Sequence, residues 1–171
     1  MELYLVRHPE PKVDKGVCYG QADIGIKNGS LEETIQSIKE WVPQSLPIFS
    51  SPLIRCKALA EKLGKFKEDK RLMELNFGDW ELKKWDDISP QDLEEWMKDY
   101  MNQRPPGGET GDELHKRVGA FLEDIKSQSC VIIAHLGSLR SIYAHVHGVT
   151  LPDAFGEFKV APGEVRLLRI E

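Results

Sequence analysis

The sequence predicts an α/β fold, a three-layer α/β/α arrangement with a mostly parallel central sheet. Two observations carry this expectation. Short apolar runs of strand length alternate with stretches whose apolar residues recur at helical spacing. Two of those runs, Leu3-Tyr4-Leu5-Val6 and Cys130-Val131-Ile132-Ile133-Ala134, each lead into a histidine, His8 by way of Arg7 and His135 directly. In open α/β sheets, ligands bind beyond the carboxyl ends of the strands. The two histidines are therefore expected to share a site, and the neighbouring Arg7 points to an anion such as phosphate.

The elements follow in order. A strand over about residues 2–7 opens a loop rich in Pro, Gly and charge (9–29). Leu31, Ile35, Ile38 and Val42 then form a helical stripe that Pro43 and Pro47 end. Ile48-Phe49-Ser50 reads as a short buried strand. Ser51-Pro52 reads as an N-cap with proline at the first helical position, opening a helix that runs to Leu63 and stops at Gly64. Residues 70–82 read as a strand edge and turn. Ser89-Pro90 starts a helix carrying Leu93, Trp96, Met97, Tyr100 and Met101 on one face. After the Pro-Pro-Gly-Gly break at 105–108, Thr110 and Glu113 have capping-box spacing, and Leu114, Val118, Phe121, Leu122 and Ile125 form the stripe of the next helix. The strand ending at His135, a helix from about Ser138 to Val146, and a final strand from Val165 to Ile170 complete the series.

The chain has 171 residues, enough for one domain with a sizeable core, and its 40% hydrophobic and 30% charged content is ordinary for a soluble protein. The net charge of -5 argues against nucleic acid or an anionic membrane as the main partner. Cys18, Cys56 and Cys130 form no CxxC pair, which suits free thiols in a reduced compartment. A strand follows Met1-Glu2 at once, with no basic leader, and the apolar runs of about six residues fall far short of a bilayer span. These features predict a cytoplasmic protein.

Five segments place charged or polar groups where a strand or loop meets a helix start. They are Leu5-Val6-Arg7-His8-Pro9-Glu10, Ser50-Ser51-Pro52-Leu53-Ile54-Arg55, the stretch from Leu72 to Glu81 around Glu74, Pro106-Gly107-Gly108-Glu109-Thr110, and Ile133-Ala134-His135-Leu136-Gly137-Ser138-Leu139-Arg140. In this order and spacing they resemble the histidine phosphatase superfamily, the phosphoglycerate-mutase-like proteins, over nearly the whole chain. The loop Gly16-Val17-Cys18-Tyr19-Gly20-Gln21-Ala22-Asp23 narrows the resemblance to the α-ribazole phosphatase branch, which acts in assembling the lower loop of cobalamin.

The resemblance implies a phosphoglycerate-mutase-like fold and a phosphomonoesterase working through a phosphohistidine. It makes His8 the nucleophile, Glu74 the proton donor to the leaving oxygen, and His135 a catalytic residue that also contacts the phosphoryl oxygens. Arg7 and Arg55 grip the phosphate, and Gly20, Gln21 and Leu136 are candidate substrate contacts. It implies no metal and no other cofactor, a small phosphorylated metabolite as partner, and a helical lid-like insertion at about 84–106. The substrate expectation is α-ribazole 5′-phosphate. The alternatives are a broad-specificity sugar-phosphate or nucleotide phosphatase and a non-catalytic phosphate-ligand sensor.

Physical chemistry fits these roles. Phosphoryl transfer through a loose transition state is mainly placement and charge stabilisation. The planar fork of Arg matches two phosphate oxygens at once. A nucleophilic imidazole must be neutral, and two nearby guanidiniums favour that form. The helix after His135 points its N-terminus at the anion. Glu10, Glu81 and Glu109 compete with Glu74 for the acid role, which the motif assigns to Glu74.

Other residues read more simply. Arg140 is expected in packing or a salt bridge, Phe77 and Trp80 in the core, and His115 on a solvated helix face. The acidic run from Asp86 to Glu95 is also read as solvated, and His145 and His147 share no face on which to hold a metal. Trp96, Met97, Tyr100 and Met101 read either as core or as a cover for the substrate's organic part. Three positions depart from the superfamily pattern: Pro9 and Leu136 stand where glycine is usual, and Pro11 where a small polar residue is usual.

Overall fold

The computed structural model describes residues 1–126 and 128–170. Among them, five strands form one sheet: β1 (Glu2–Arg7), β2 (Ile48–Ser50), β3 (Phe66–Glu68), β4 (Cys130–Ala134) and β5 (Val165–Arg169), in the order β3-β2-β4-β1-β5. The first four run parallel, and β5 closes the edge antiparallel to β1. The helices are α1 (Ser30–Trp41), α2 (Ile54–Leu63), α3 (Pro90–Lys98), α4 (Gly111–Asp124), α5 (Leu136–His147) and α6 (Leu151–Glu157).

Side-chain alternation along the strands splits the core into two layers. Leu3 and Leu5 of β1, with Cys130, Ile132 and Ala134 of β4, pack on Leu114, Val118 and Phe121 of α4 and Leu139 and Ile142 of α5. The alternate residues Tyr4, Val6, Val131 and Ile133 pack on Ile38 of α1 and Leu59 and Ala60 of α2. Both faces of β1 and β4 are covered, so these strands read as continuous apolar runs rather than alternating ones. Each wholly buried Leu or Ile contributes ~1.5–3 kcal/mol relative to its exposed state.

The register of this sheet builds the site. Arg7 lies opposite Ala134 in the parallel β1–β4 pair. The next residues are His8 and His135, and the His8 backbone N–H still donates to the Ala134 carbonyl at 3.1 Å. On the other side of β4, the Ser51 N–H donates to the Ile133 carbonyl at 3.0 Å. Three neighbouring strand ends thus present Ser51, His135 and His8 side by side.

Several local expectations need correction. Ser51 does not cap α2: the helix begins at Ile54 behind Leu53, and its exposed Ile54 N–H is held at 2.8 Å by Asp23 from the long loop. Residues 70–82 hold no strand. They form 3-10 turns at Lys70–Leu72 and Gly78–Trp80, and the strand lies earlier, at Phe66–Glu68. α5 starts at Leu136, with His135 as its N-cap residue. α3 ends at Lys98, so Tyr100 and Met101 lie in the turn beyond it. The Thr110–Glu113 capping box forms as expected, with reciprocal bonds of 3.1 and 2.8 Å.

Candidate active site

His8 is 2% exposed. Its Nδ1 lies 2.7 Å from the Pro9 carbonyl oxygen. A carbonyl only accepts, so Nδ1 carries the hydrogen and Nε2 keeps a free lone pair. Burial, followed by the charge of Arg55 and then that of Arg7, holds the His8 pKa down to about 3 against the favourable Pro9 contact. The imidazole is therefore neutral across the physiological range.

His135 is fully buried, and its ring centroid lies 5.2 Å from that of His8. Burial, then Arg55 and His8, push its pKa well below the usual range. Its Nε2 meets the Ser51 hydroxyl at 2.8 Å and the Cys56 sulfur at 3.5 Å. Its Nδ1 is buried and has no partner among the described residues.

Arg55 is also 0% exposed. Its terminal nitrogens donate to the carbonyls of Ala22 and Gly20, at 2.9 and 2.5 Å, and to no carboxylate among the described residues. Arg7 donates to the Val160 carbonyl at 2.9 Å. The Nε of each arginine is buried without a partner among the described residues. Each such group costs ~1–3 kcal/mol. Three unmet nitrogens, on Arg7, Arg55 and His135, surround one neutral nucleophile, and an anion would satisfy them together.

The Glu74 carboxylate is fixed by two backbone N–H donors, Leu75 at 2.8 Å and Gly137, in the first turn of α5, at 3.0 Å. Glu74, Arg7 and His8 form the polar end of a cavity of about 540 Å³. Its wall is apolar: Tyr19, Phe77, Trp85, Trp96, Met97, Tyr100, Leu136 and Phe155. The rings meet edge-on or tilted in series, with centroid separations of 5.5 Å for Phe77–Trp85, 5.7 Å for Phe77–Trp96 and 5.2 Å for Tyr100–Phe155. Trp96 and Tyr100 pack against the core and, with Met97, also line the cavity.

The residues expected at the site divide into two groups. Arg7, His8, Glu74 and Leu136 line the cavity, while His135 and Arg55 lie buried behind them. Gly20 and Gln21 face protein instead. The Gly20 carbonyl receives Arg55, and a Cβ there would run into the Leu75 carbonyl. The Gln21 side-chain amide donates to the Glu74 carbonyl at 3.0 Å.

The rival carboxylates have other partners. Glu10 pairs with Lys27 on the surface. Glu81 accepts the backbone N–H groups of Gln21, Ala22 and Phe77. Glu109 is ion-paired with Arg117 at 2.6 Å.

The readings of Phe77 and His115 change, while Arg140 packs as expected and makes no salt bridge among the described residues. It lies over the Phe155 ring, 4.3 Å from its centroid, and borders the cavity. Phe77 is half-buried and faces the cavity rather than sitting only in the core. His115 is half-buried and stacked on His145, with ring centroids 3.8 Å apart. Arg117 was not singled out from the sequence, and Ser51 only as a helix cap. Arg117 lies on a helix face where nothing in the local pattern separates it from a solvated cation. Among the described residues there is no group of three or more metal-ligating side chains, and no helix is long and apolar enough to cross a membrane.

Comparison with known proteins gives consistent results. The family model described as histidine phosphatase superfamily (branch 1) matches residues 3–171. Phosphoserine phosphatase 1 of Hydrogenobacter thermophilus is 28% identical, covering 88% of this chain and 78% of that protein. Adenosylcobalamin/alpha-ribazole phosphatase of Salmonella typhimurium is 28% identical over 95% of this chain and 87% of its own. The crystal structure of the alpha-ribazole phosphatase from Shigella flexneri superposes with a TM-score of 0.88 at 24% identity, covering all of this chain and 91% of that one.

Proposed function

The chain belongs to the histidine phosphatase superfamily (branch 1) and is a phosphatase, and from that premise we propose that it hydrolyses a phosphomonoester with a bulky, flat leaving group through a phosphohistidine on His8. The observation that carries the reading is Arg55. A fully buried guanidinium with no carboxylate partner is costly unless an anion reaches it. The nearby neutral imidazoles support reading that anion as the one on which His8 acts.

The steps follow from the geometry. His8 Nε2 attacks phosphorus while the bond from phosphorus to the leaving oxygen breaks. Glu74 gives its proton to that oxygen. Arg7, Arg55 and the Nδ1 side of His135 balance charge on the phosphoryl oxygens. Water then attacks the phosphohistidine, giving its proton to the Glu74 carboxylate and releasing inorganic phosphate from a regenerated imidazole. The Ser51 hydroxyl supports this by donating to His135 Nε2, which leaves the ring hydrogen on Nδ1. Residues 84–106 act as the cover over the organic part of the substrate.

The cavity selects the substrate. About 540 Å³ of mainly aromatic wall suits a heteroaromatic nucleoside-like group and would stand largely empty around a serine. α-Ribazole 5′-phosphate, in cobalamin assembly, is the substrate that fits best. One observation favours a second reading, phosphoserine: Arg140 borders the same cavity and could take a carboxylate. A phosphate-release panel separates them. α-Ribazole 5′-phosphate should have the highest kcat/KM, and a preference for phosphoserine over every aromatic substrate would reverse the choice. Loss of turnover in His8→Ala, with the fold retained, separates an enzyme from a phosphate sensor.

A further inference from the structure

The segment carrying Glu74 has no regular structure of its own. It runs between the 3-10 turns at Lys70–Leu72 and Gly78–Trp80, and one side chain reaches three of the backbone carbonyls in and beside it. Arg117 of α4 donates through Nη1 to the carbonyls of Arg71 and Met73, at 2.6 and 2.8 Å, and through Nη2 to that of Glu74 at 2.9 Å. Its Nε and Nη2 also form a two-point ion pair with Glu109, at 2.6 and 2.9 Å. Glu109 closes the far side of the segment. Its carboxylate accepts the Asn76 N–H at 3.2 Å, and its own N–H donates to the Asn76 carbonyl at 2.8 Å.

The pair is largely buried, with side-chain exposures of 19% and 14%, and borders the cavity at neither residue. A buried ion pair is weak evidence of stabilisation by itself. Here its hydrogen bonds converge on the main chain on both sides of one carboxyl group, a geometry that needs the planar fork of Arg.

We propose that Arg117, clamped by Glu109, is a positioning residue that holds the Glu74 carboxyl where it can protonate the leaving oxygen. The inference rests on the role of Glu74 proposed above.

The test uses the full chain and two probes, p-nitrophenyl phosphate, whose leaving group needs no proton, and β-glycerophosphate, whose alkoxide does. Arg117→Lys should lower kcat/KM on β-glycerophosphate roughly tenfold or more while changing kcat/KM on p-nitrophenyl phosphate little, because kcat/KM reports only the steps up to departure of the leaving group. Arg117→Lys combined with Glu74→Gln should be no slower on β-glycerophosphate than Glu74→Gln alone, because both changes remove the same proton transfer. Should Arg117→Lys not fold, Glu109→Gln keeps the volume and one acceptor, and should give the same selective loss in smaller measure. Equal loss on both probes, or additive loss in the double variant, would make Arg117 merely structural and overturn the proposal. If Glu74→Gln itself lowers kcat/KM equally on both probes, the role of Glu74 fails first and the proposal falls with it.

Discussion

Gly137 and Glu74 are in such close contact that a side chain on the first would occupy the space of the second's carboxylate. A Cβ at Gly137 would overlap Glu74 Oε1, and the Gly137 N–H donates to Oε2 at 3.0 Å. Position 137 lies in the first turn of α5, where alanine is otherwise the better helix former by about 1 kcal/mol. Gly137→Ala is therefore expected to leave the thermal midpoint nearly unchanged while lowering kcat on alkyl phosphates ~100-fold, the usual size of a general-acid contribution. Steady-state kinetics beside a thermal melt checks this, and full activity in the variant would contradict the placement of the acid.

Glu74→Gln keeps the shape of the side chain and removes its proton. The rate of phosphoryl transfer should fall more steeply as the leaving group becomes more basic, so a plot of log(kcat/KM) against leaving-group pKa should be steeper than for the parent. Parallel lines would show that the group does not protonate the leaving oxygen.

Stability should decline on mild acidification. His8 is neutral in the folded chain down to about 3, whereas the unfolded imidazole takes up its proton near 6.5. The His135 pKa is shifted in the same direction. Between these limits the unfolded state binds more protons, so stability rises with pH across the window and is lost as pH falls through it, by ~1.4 kcal/mol per pH unit for His8, with His135 adding in the same direction. Above pH 6.5 the contribution is complete. Urea titrations from pH 7 to pH 4.5 measure the slope, and His8→Asn should flatten it.

Trp96 joins the aromatic wall, with its ring 5.7 Å from Phe77 and 5.9 Å from Tyr100. Trp96→Ala should raise KM for aryl and nucleoside-like phosphates roughly tenfold, the worth of about one lost aromatic contact. KM for glycerol phosphates should hardly move. A uniform rise across the panel would mean that the ring supports the fold rather than the substrate.

The sequence carried most of the architecture because β1 and β4 are buried on both faces and so stand out as apolar runs. The two histidines follow from the same fact, since each terminates such a run. β3 escaped notice because Phe66-Lys67-Glu68 is a three-residue edge strand with charged side chains, which gives no alternation to read. α6 was missed although Thr150 caps it, because Leu151–Glu157 is seven residues long and includes Pro152 and Gly156. The α2 cap could not be read locally, since Asp23 supplies it from 31 residues away. Gly20 and Gln21 were expected as substrate contacts, and only the fold reveals that they face Arg55 and the Glu74 main chain instead. Arg117 was invisible because three of its partners, at Arg71, Met73 and Glu74, are main-chain carbonyls that carry no side-chain signature, and its ion-pair partner Glu109 lies eight residues away, across the start of α4.

The Pro9 carbonyl, by occupying Nδ1 of His8, also determines the regiochemistry of any trapped adduct. Only the ring nitrogen remote from the main chain is open to phosphorus. A rapidly quenched reaction should therefore yield the tele isomer of phosphohistidine alone, a species that endures alkali, and isomer-selective antibodies or fragmentation spectra would find none of the pros form.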